Sequence, residues 1–276
     1  RQTVLFKGET MKKVAIIGMG NMATAMLKGM ITIFKKEEII FSRKDAKKRE
    51  QFTKETNIEG ANDNFSCAKA AKYIILAIKP QYFSTVLKEI RPAMDSDKVV
   101  ISIAAGIERS KICKELGKVR VVRAMPNTPA LLGEGMTGIS YQEEEFSLEE
   151  QQTIEAIFSS FGRVKKVEEH LMNTVICVSG SAPAYVYLLI EALADSGVKY
   201  GLSREIAYEM AAQTVLGAAK MVLETKEHPG VLKDRVCSPG GTTIAGVAAC
   251  EEYGLRNAIL KASDACYKKA NELKGE

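Results

Sequence analysis

The chain has 276 residues, of which 46% are hydrophobic and 26% are charged. These values are typical of a folded globular protein of about two domains, and they exclude a disordered chain, a collagen-like chain and a small disulfide scaffold. The 39 basic and 34 acidic residues give a net charge of +5. Because the two signs are interleaved along the chain, we interpret the charge as solvated helix surface and expect no nucleic-acid partner.

Cysteine and histidine are too few and too scattered to indicate a metal site. The six cysteines contain no CxxC pair and there are only two histidines, so we expect no metal and no disulfide framework. Isolated cysteines are typical of a reducing compartment, which predicts a cytoplasmic protein. No uninterrupted apolar run reaches the ~18 residues of a membrane span and no signal peptide is evident, so we expect no membrane partner.

The first ten residues differ in character from the rest of the chain. The chain lacks an initiating Met, and Met11-Lys12-Lys13 resembles a natural start. We therefore expect residues 1–10 to be an added leader outside the fold.

From residue 12 to about residue 166, short apolar runs alternate with helical patterns. Such β-rich runs, apolar on both faces, suit a parallel sheet that is covered on both sides. Strands are predicted over 13–17, 38–42, 73–78, 98–103 and 119–123, and helices over 21–33, 46–56, 82–90 and 109–116. The alternation predicts an α/β fold with an N-terminal doubly wound, Rossmann-type domain.

The second half of the chain has a different pattern. Ser147 and Glu150 form a capping-box pair that predicts a helix running to about Phe161. Beyond Lys166 the β-rich runs stop, and Ala-rich segments with a period near 3.6 predict about six helices. These helices have more apolar residues than one buried face needs, which predicts a homo-oligomer. The predicted domains are 11–166, for dinucleotide binding, and 167–276, an all-α domain for oligomerisation and substrate.

A glycine-rich loop follows the first predicted strand and opens the first helix. It reads Gly18-Met19-Gly20-Asn21-Met22-Ala23, a GxGxxA spacing. The first Gly permits a sharp turn, the second lets the main chain approach a pyrophosphate, and the small third residue allows close helix packing. The alternative is a tight turn without a ligand, but the position between strand and helix favours a dinucleotide site.

The end of the second predicted strand bears on the choice of cofactor. Folds that prefer NAD usually carry an acid there for the ribose hydroxyls, but this strand ends Ser42-Arg43-Lys44. Arg43 could bind a 2′-phosphate through charge-assisted hydrogen bonds, so we predict a preference for NADP(H), with NAD(H) as the other possibility. The alternative is that Arg43 and Lys44 are solvated loop charges.

A second glycine-containing loop, without charged or bulky side chains, lies in the helical half of the chain. Ser238-Pro239-Gly240-Gly241-Thr242-Thr243 precedes an Ala-rich helix. Main-chain N–H groups at such a helix start can hold a small carboxylate without Arg or Lys. The alternative is a helix N-cap with a flexible entry.

Seven motifs in order resemble the pyrroline-5-carboxylate reductase family over nearly all of residues 11–273. They are GMGNMA, AIKPQ, SIAAG, RAMPNTPA, SGSAPAY, ALADSGV and SPGGTTIAG. The resemblance implies an NAD(P)H-dependent oxidoreductase that reduces 1-pyrroline-5-carboxylate to L-proline, the last step of proline biosynthesis. It also implies an N-terminal Rossmann domain and a helical domain that forms a homodimer or a higher homo-oligomer. The family usually has Gly where this chain has Ala182, which leaves the contacts of that loop open.

The resemblance also implies site residues. The cofactor-binding set is Gly18, Met19, Gly20, Asn21, Met22, Ser42, Arg43, Asn64, Ala77, Ile78, Lys79, Pro80, Ile103, Ala104 and Ala105. The substrate-binding set is Ser238, Gly240, Gly241, Thr242 and Thr243. Within that set Thr243 would contact the ring nitrogen, and Ser238 would help to hold the carboxylate, so these two are the candidate catalytic residues.

Two rival functions remain at this point. One is another NADP-dependent reductase, acting on 3-hydroxyacids or on related cyclic imines; 3-hydroxyacid enzymes use a catalytic Lys, and the loop 238–243 contains none. The other is an NADP-sensing or scaffold protein without activity, which would need only the first glycine loop.

Overall fold

The structure is a computed structural model that describes residues 11–272; the predicted leader, residues 1–10, lies outside the described residues. The chain divides into two compact units. The first extends to Gly180 and resumes at Tyr267, and the second is Ser181–Cys266. The predicted division of function after Lys166 stays a prediction.

The first unit is built on one eight-stranded sheet. The strands are β1 (Lys12–Ile17), β2 (Ile39–Ser42), β3 (Glu59–Ala61), β4 (Ala71–Leu76), β5 (Val99–Ser102), β6 (Arg120–Met125), β7 (Gly135–Ser140) and β8 (Gly162–Lys166). Their order is β3-β2-β1-β4-β5-β6-β7-β8. Strands β1 to β6 run parallel, β7 is antiparallel to β6, and β8 is parallel to β7. The predicted doubly wound fold is confirmed, and so are its five predicted strands.

Seven α-helices of the first unit connect or follow these strands. They are α1 (Asn21–Met30), α2 (Ala46–Thr56), α3 (Asn64–Ala70), α4 (Phe83–Ile90), α5 (Arg109–Leu116), α6 (Leu148–Ser159) and α7 (Met172–Val175). The capping box that opens α6 is present, with Ser147 and Glu150 each accepting from the other's main-chain N–H. A short π-helix, Ile176–Gly180, follows α7 and ends the first part of this unit.

Alternate side chains of the central strands point to opposite faces of the sheet, and each face has its own core. Val14 and Ile16 of β1 belong to one buried cluster, together with Phe158 of α6. Ala15 and Ile17 belong to the other, together with Leu87 of α4. Helices on both faces therefore bury most of the length of the central strands, as the continuous apolar runs predict.

The second unit is all helical. It contains α8 (Ala182–Lys199), α9 (Arg204–Thr225), α10 (Pro229–Val236), α11 (Thr242–Glu252) and most of α12 (Leu255–Glu272), which continues into the first unit. Its buried cluster is small and consists of Ala194, Ala207 and Ala211 where α8 packs on α9. Large apolar side chains such as Leu188 and Leu216 are more than half exposed, at 65% and 56%.

Candidate functional site

The carboxyl ends of four parallel strands are joined by hydrogen bonds that extend beyond the strands themselves. The Gly18 N–H donates to the Ser42 carbonyl at 3.2 Å, and the Ala77 N–H donates to the Ile17 carbonyl at 2.9 Å. The Ile103 N–H donates to the Leu76 carbonyl at 3.3 Å. The predicted cofactor residues after β1, β2, β4 and β5 therefore share one edge, where doubly wound sheets bind their ligands.

The glycine loop at this edge has the geometry that a pyrophosphate needs. Gly18 has a φ of +91°, and a Cβ there would lie 2.7 Å from the Ala77 carbonyl oxygen. Gly20 is the N-cap of α1 and no side chain caps that end. A Cβ on Gly20 would meet no atom within 4 Å, so there is open space in front of the helix. The first-turn N–H groups and the helix dipole can therefore face a phosphate, and the residues present fit a dinucleotide.

A cavity of about 540 Å³ lies beside Gly18. It is lined by Ile17, Gly18, Ser42, Arg43, Lys44, Asn62, Asp63, Asn64, Ile78, Tyr82, Thr85, Val86 and Glu89. Five of the predicted cofactor residues are brought together here: Gly18, Ser42, Arg43, Asn64 and Ile78. Within the described part of the chain, Arg43 and Lys44 form no salt bridge, so both cations are available to an anionic ligand.

The other predicted cofactor residues lie outside this cavity, in the loops that continue along the edge. They are Met19, Gly20, Asn21 and Met22 at the start of α1, Ala77, Lys79 and Pro80 after β4, and Ile103, Ala104 and Ala105 after β5. Met19 and Ala104 are buried. For these two, we therefore expect main-chain contacts rather than side-chain contacts with a ligand.

Asn64, the first residue of α3, is fixed by two side-chain hydrogen bonds. Its Oδ1 accepts from Ser42 Oγ at 2.6 Å, and its Nδ2 donates to Glu89 Oε2 at 2.6 Å. The Cys67 thiol lies next to Ser42, and burial raises its pKa to about 12. Cys67 is therefore a protonated, unreactive thiol at neutral pH.

Sequence reasoning missed the wall of the cavity that α4 and the turn before it provide. Tyr82, Thr85, Val86 and Glu89 all line the cavity. Their spacing is i, i+3, i+4 and i+7, which places them on one helix face. That spacing, directly after a strand of the parallel sheet, is the signal that would have identified them.

The predicted substrate loop lies in the second unit, at the start of α11. Gly240 has a φ of +66°, and the Gly241 N–H donates to the Ser238 carbonyl at 3.0 Å. A Cβ at Gly241 would collide with Ser238 Oγ. Gly241 is the N-cap of α11 and no side chain caps it, so the first-turn N–H groups near Thr242 and Thr243 are open, as an anion site requires. The structure thus brings the predicted substrate residues together in one tight turn.

No group of three His, Cys, Asp or Glu side chains within residues 11–272 is arranged to hold a metal ion. All six cysteines lie in this range and none of them forms a disulfide.

The first unit has a doubly wound sheet, a glycine loop before an uncapped helix and a cavity with two cations at the carboxyl edge. Together these features are typical of the dinucleotide-binding domains of oxidoreductases. Family comparisons agree with this class. Residues 13–106 match the family model described as NADP oxidoreductase, coenzyme F420-dependent, and residues 169–273 match the model for pyrroline-5-carboxylate reductase dimerisation.

Similar proteins are more specific. A pyrroline-5-carboxylate reductase of Synechocystis is 44% identical over 95% of this chain and 98% of its own, and one of Escherichia coli is 42% identical over the same shares. The reductase structure from Plasmodium falciparum with NADP bound has a TM-score of 0.85 at 31% identity, covering 96% of this chain and 100% of that one. A Coxiella burnetii reductase has a TM-score of 0.88 at 34% identity, covering 96% and 99%.

The chain therefore belongs to the pyrroline-5-carboxylate reductase family. It is an NAD(P)H-dependent oxidoreductase that reduces 1-pyrroline-5-carboxylate to proline, and the resemblance stated from its motifs is confirmed. The match over residues 169–273 identifies the helical region as a dimerisation domain, in agreement with the predicted homo-oligomer.

One helical stretch, Glu169–Lys199, is long and apolar enough to cross a membrane by length and composition alone. Polar residues such as Asn173 and Ser179 interrupt its apolar sequence, so the expectation about uninterrupted apolar runs is not contradicted, and the absence of a membrane partner stays a prediction. The stretch falls within the matched dimerisation region. A single stretch of this kind is weak evidence for a membrane, because a helix that packs against a partner subunit has the same composition.

Proposed function

We propose that the carboxyl edge of the sheet holds the cofactor and that the loop Ser238–Thr243 holds the substrate. In this assignment, Gly18, Gly20 and the first-turn N–H groups of α1 bind the pyrophosphate. Ser42, Arg43 and Asn64 bind the adenosine ribose. The remaining predicted residues after β4 and β5 line the path toward the nicotinamide. The open space in front of the uncapped N-terminus of α1 is the observation that carries this proposal.

The cofactor assignment extends to a preference for NADPH over NADH. Arg43 and Lys44 line the cavity, and neither forms a salt bridge within the described residues. A 2′-phosphate placed there would gain charge-assisted hydrogen bonds that a 2′-hydroxyl cannot match. The NADP in the P. falciparum structure is consistent with this preference.

The substrate is a five-membered cyclic imine that carries a carboxylate. The Gly241 N–H already donates to the Ser238 carbonyl, so the main-chain N–H group of Thr242, together with the Ser238 hydroxyl, would hold the carboxylate at the start of α11. The Thr243 hydroxyl would orient the ring nitrogen. Because an alcohol is a poor general acid, Thr243 would position or relay the proton and would not be its source. The proton for the ring nitrogen would come from solvent, or the substrate would already be protonated when it binds.

A bound NADPH supplies the hydride for the imine carbon. Reacting atoms must approach to about 3–3.5 Å. The proposal therefore requires that a loop Ser238–Thr243, from the same or a partner protomer, reaches the cofactor in the assembled enzyme. Residues 11–166 would then serve cofactor binding, and residues 167–276 would serve substrate binding and assembly.

The same proposal covers partners and location. A second copy of the chain, joined through the helical domain, and a small imino acid are the partners we propose, with no nucleic acid and no membrane. Exposed apolar side chains along α8 and α9 support the contact with a second copy. Six cysteines, none of which forms a disulfide within the described residues, support a cytoplasmic location.

The test is a steady-state assay of NADPH and NADH oxidation with 1-pyrroline-5-carboxylate, for the unmodified chain and for Arg43→Ala. We expect efficient turnover, with NADPH used better than NADH, and a loss of that advantage in Arg43→Ala. An unchanged NADPH to NADH ratio would refute the role of Arg43. Turnover of 3-hydroxyacids but not of the imine would favour the first rival. Cofactor binding without any turnover would favour the second.

A further inference from the structure

The candidate cofactor cavity contains two carboxylates as well as cations, and one of them, Asp63, is already used to cap α3. Glu89 of α4 lines the same cavity as Arg43 and Lys44. It is connected to the end of β2 by two hydrogen bonds of 2.6 Å, from Asn64 Nδ2 to Glu89 Oε2 and from Ser42 Oγ to Asn64 Oδ1. A site that selects a 2′-phosphate by charge has no need of this carboxylate, so its presence calls for a separate explanation.

Glu89 determines how the Asn64 amide is turned. A carboxylate only accepts hydrogen bonds, so the Asn64 NH₂ group must face Glu89, and its carbonyl oxygen must then face Ser42. The single hydroxyl proton of Ser42 is used on that carbonyl oxygen. Because the Cys67 thiol next to Ser42 is neutral at physiological pH, it offers no anion that would draw the proton away.

Ser42 Oγ is thereby left with lone pairs and no proton for a ligand. An acceptor suits a ribose 2′-hydroxyl, which can donate, and it does not suit a 2′-phosphate, whose oxygens mainly accept. The Glu89 charge also opposes a 2′-phosphate. The hydrogen-bond chain and the cations therefore favour opposite cofactors.

We propose that Glu89 is a specificity-determining positioning residue. Acting through Asn64, it keeps Ser42 an acceptor and so preserves the use of NADH in a site whose cations favour NADPH. This inference rests on the proposed function, since it assumes that the adenosine ribose lies in this cavity.

The variant that tests it is Glu89→Gln. A glutamine at position 89 can donate a hydrogen bond to the Asn64 carbonyl, so the Asn64 side-chain amide can rotate by about 180°. The Asn64 NH₂ group can then donate to Ser42 Oγ, and the Ser42 hydroxyl proton becomes available to a ligand. Calorimetric titration of the full chain with adenosine 2′,5′-bisphosphate and with 5′-AMP measures the effect without turnover. We expect the affinity ratio of bisphosphate to AMP to rise about two- to fivefold, the scale of an exposed charge interaction. The ratio of KM for NADH to KM for NADPH should rise in parallel.

Glu37→Gln is the matched control. Glu37 is exposed and precedes β2, at the edge of the sheet opposite the cavity, so its loss removes the same charge without touching the hydrogen-bond chain. Its affinity ratio should equal that of the unmodified chain. A ratio that is unchanged in Glu89→Gln, or that rises equally in Glu37→Gln, would overturn the proposal.

The background variant Asn64→Ala, with Asn64→Ser as a second choice if alanine impairs folding, separates the hydrogen-bond chain from charge alone. If Glu89 acts through Asn64, Glu89→Gln changes the affinity ratio less in this background than in the unmodified chain. An equal change in both would show that Glu89 acts only as a charge, and the positioning role would be wrong. Failure of the unmodified chain to bind either nucleotide would instead refute the cofactor site on which the inference rests.

Discussion

The two units differ in how completely each buries its own apolar side chains. The first has buried clusters on both faces of its sheet, while the buried cluster of the second consists of three alanines. The second unit is nevertheless regular, with an 18-residue α8 and a 22-residue α9. In general, helix stability comes mainly from tertiary packing of an apolar face. The first unit therefore buries its apolar side chains within itself, whereas the second leaves large apolar side chains exposed, as a partner surface requires.

The two glycine loops also differ in how firmly the surrounding residues enclose them. Gly18 is held by the strand ladder and packs closely against Ala77, while Ser238 and Gly240 are exposed. A rigid loop suits a large cofactor with a fixed binding mode. An exposed loop suits a small substrate whose site is completed on assembly.

The largest effect should follow from placing a charge on the exposed apolar surface of the second unit. Leu188→Lys would bury an uncompensated charge in each protomer of a dimer, at a cost of roughly 3 kcal/mol or more. That cost corresponds to about 100-fold weaker dimerisation, measurable by analytical ultracentrifugation. Leu148→Lys, at a 77% exposed position of the first unit, is the control and should leave the dimer intact. Equal behaviour of the two variants would contradict the dependence of the second unit on a partner.

A smaller but site-specific effect is expected at Gly18. Alanine there meets Ala77 and Ile78 at 2.7 and 2.8 Å, so the loop must shift, and we expect NADPH to bind about 100-fold more weakly. Gly117→Ala is the matched control, because Gly117 also has a positive φ, of +85°, but has no atom within 4 Å of an added Cβ. Titration of NADPH by fluorescence should separate the two. Similar losses of affinity in both variants would mean that backbone strain alone, and not the close approach, explains the effect.

The smallest of these effects concerns the stability of the first unit. Burial raises the pKa of Glu150, but hydrogen bonds from Arg120, Lys72 and the Ser147 N–H outweigh it and hold the pKa at about 2. The difference between this pKa and the ordinary value of 4.5 corresponds to about 3 kcal/mol by which the folded state favours the charged form of Glu150 over the protonated form. Because water partly screens the Lys72 and Arg120 side chains, we expect Glu150→Gln to lower the free energy of unfolding by less than that, roughly 1–2 kcal/mol at pH 7, measured in denaturant.

The pH dependence follows from the direction of that shift. Since the pKa is lower in the folded state, the contribution of Glu150 is fully present above the unfolded value and is lost as the pH falls from about 4.5 toward 2. The difference in stability between the unmodified chain and Glu150→Gln should shrink over that range. Glu251→Gln, which removes an exposed ion pair with Arg256 in the second unit, should have a much smaller effect. A constant difference across this range would contradict the assignment to Glu150.

Most of the first unit could be predicted from the sequence because its strands are continuous apolar runs and its helices have clear start signals. The bounds of α2 and α5 agree with prediction. Three strands were missed. Strand β3 has three residues and a Gly, β7 has two Gly among its six residues, and the residues of β8 are mostly polar and incompletely buried. In all three, pairing with a neighbouring strand compensates for weak local propensity.

The candidate site was predictable where one short motif carries it, as in Gly18-Met19-Gly20. It was not predictable where residues meet only through the fold. Glu89 is 25 residues from Asn64, and only the docking of α4 beside α3 brings them together. The assembled relation of Ser238–Thr243 to the cofactor cannot be predicted from the sequence either, because no local pattern encodes the packing of one protomer on another.

The kinetics of Thr243→Ala, with Thr242→Ala as its neighbouring control, test the proposed reaction site most directly. We expect kcat for 1-pyrroline-5-carboxylate to fall at least about 100-fold in Thr243→Ala, the scale of a lost group that orients the reacting atoms, while NADPH affinity stays within about twofold. Thr242→Ala should change far less, because only the main chain of Thr242 is assigned to the substrate. Undiminished turnover in Thr243→Ala would contradict the assignment of the reaction to this loop.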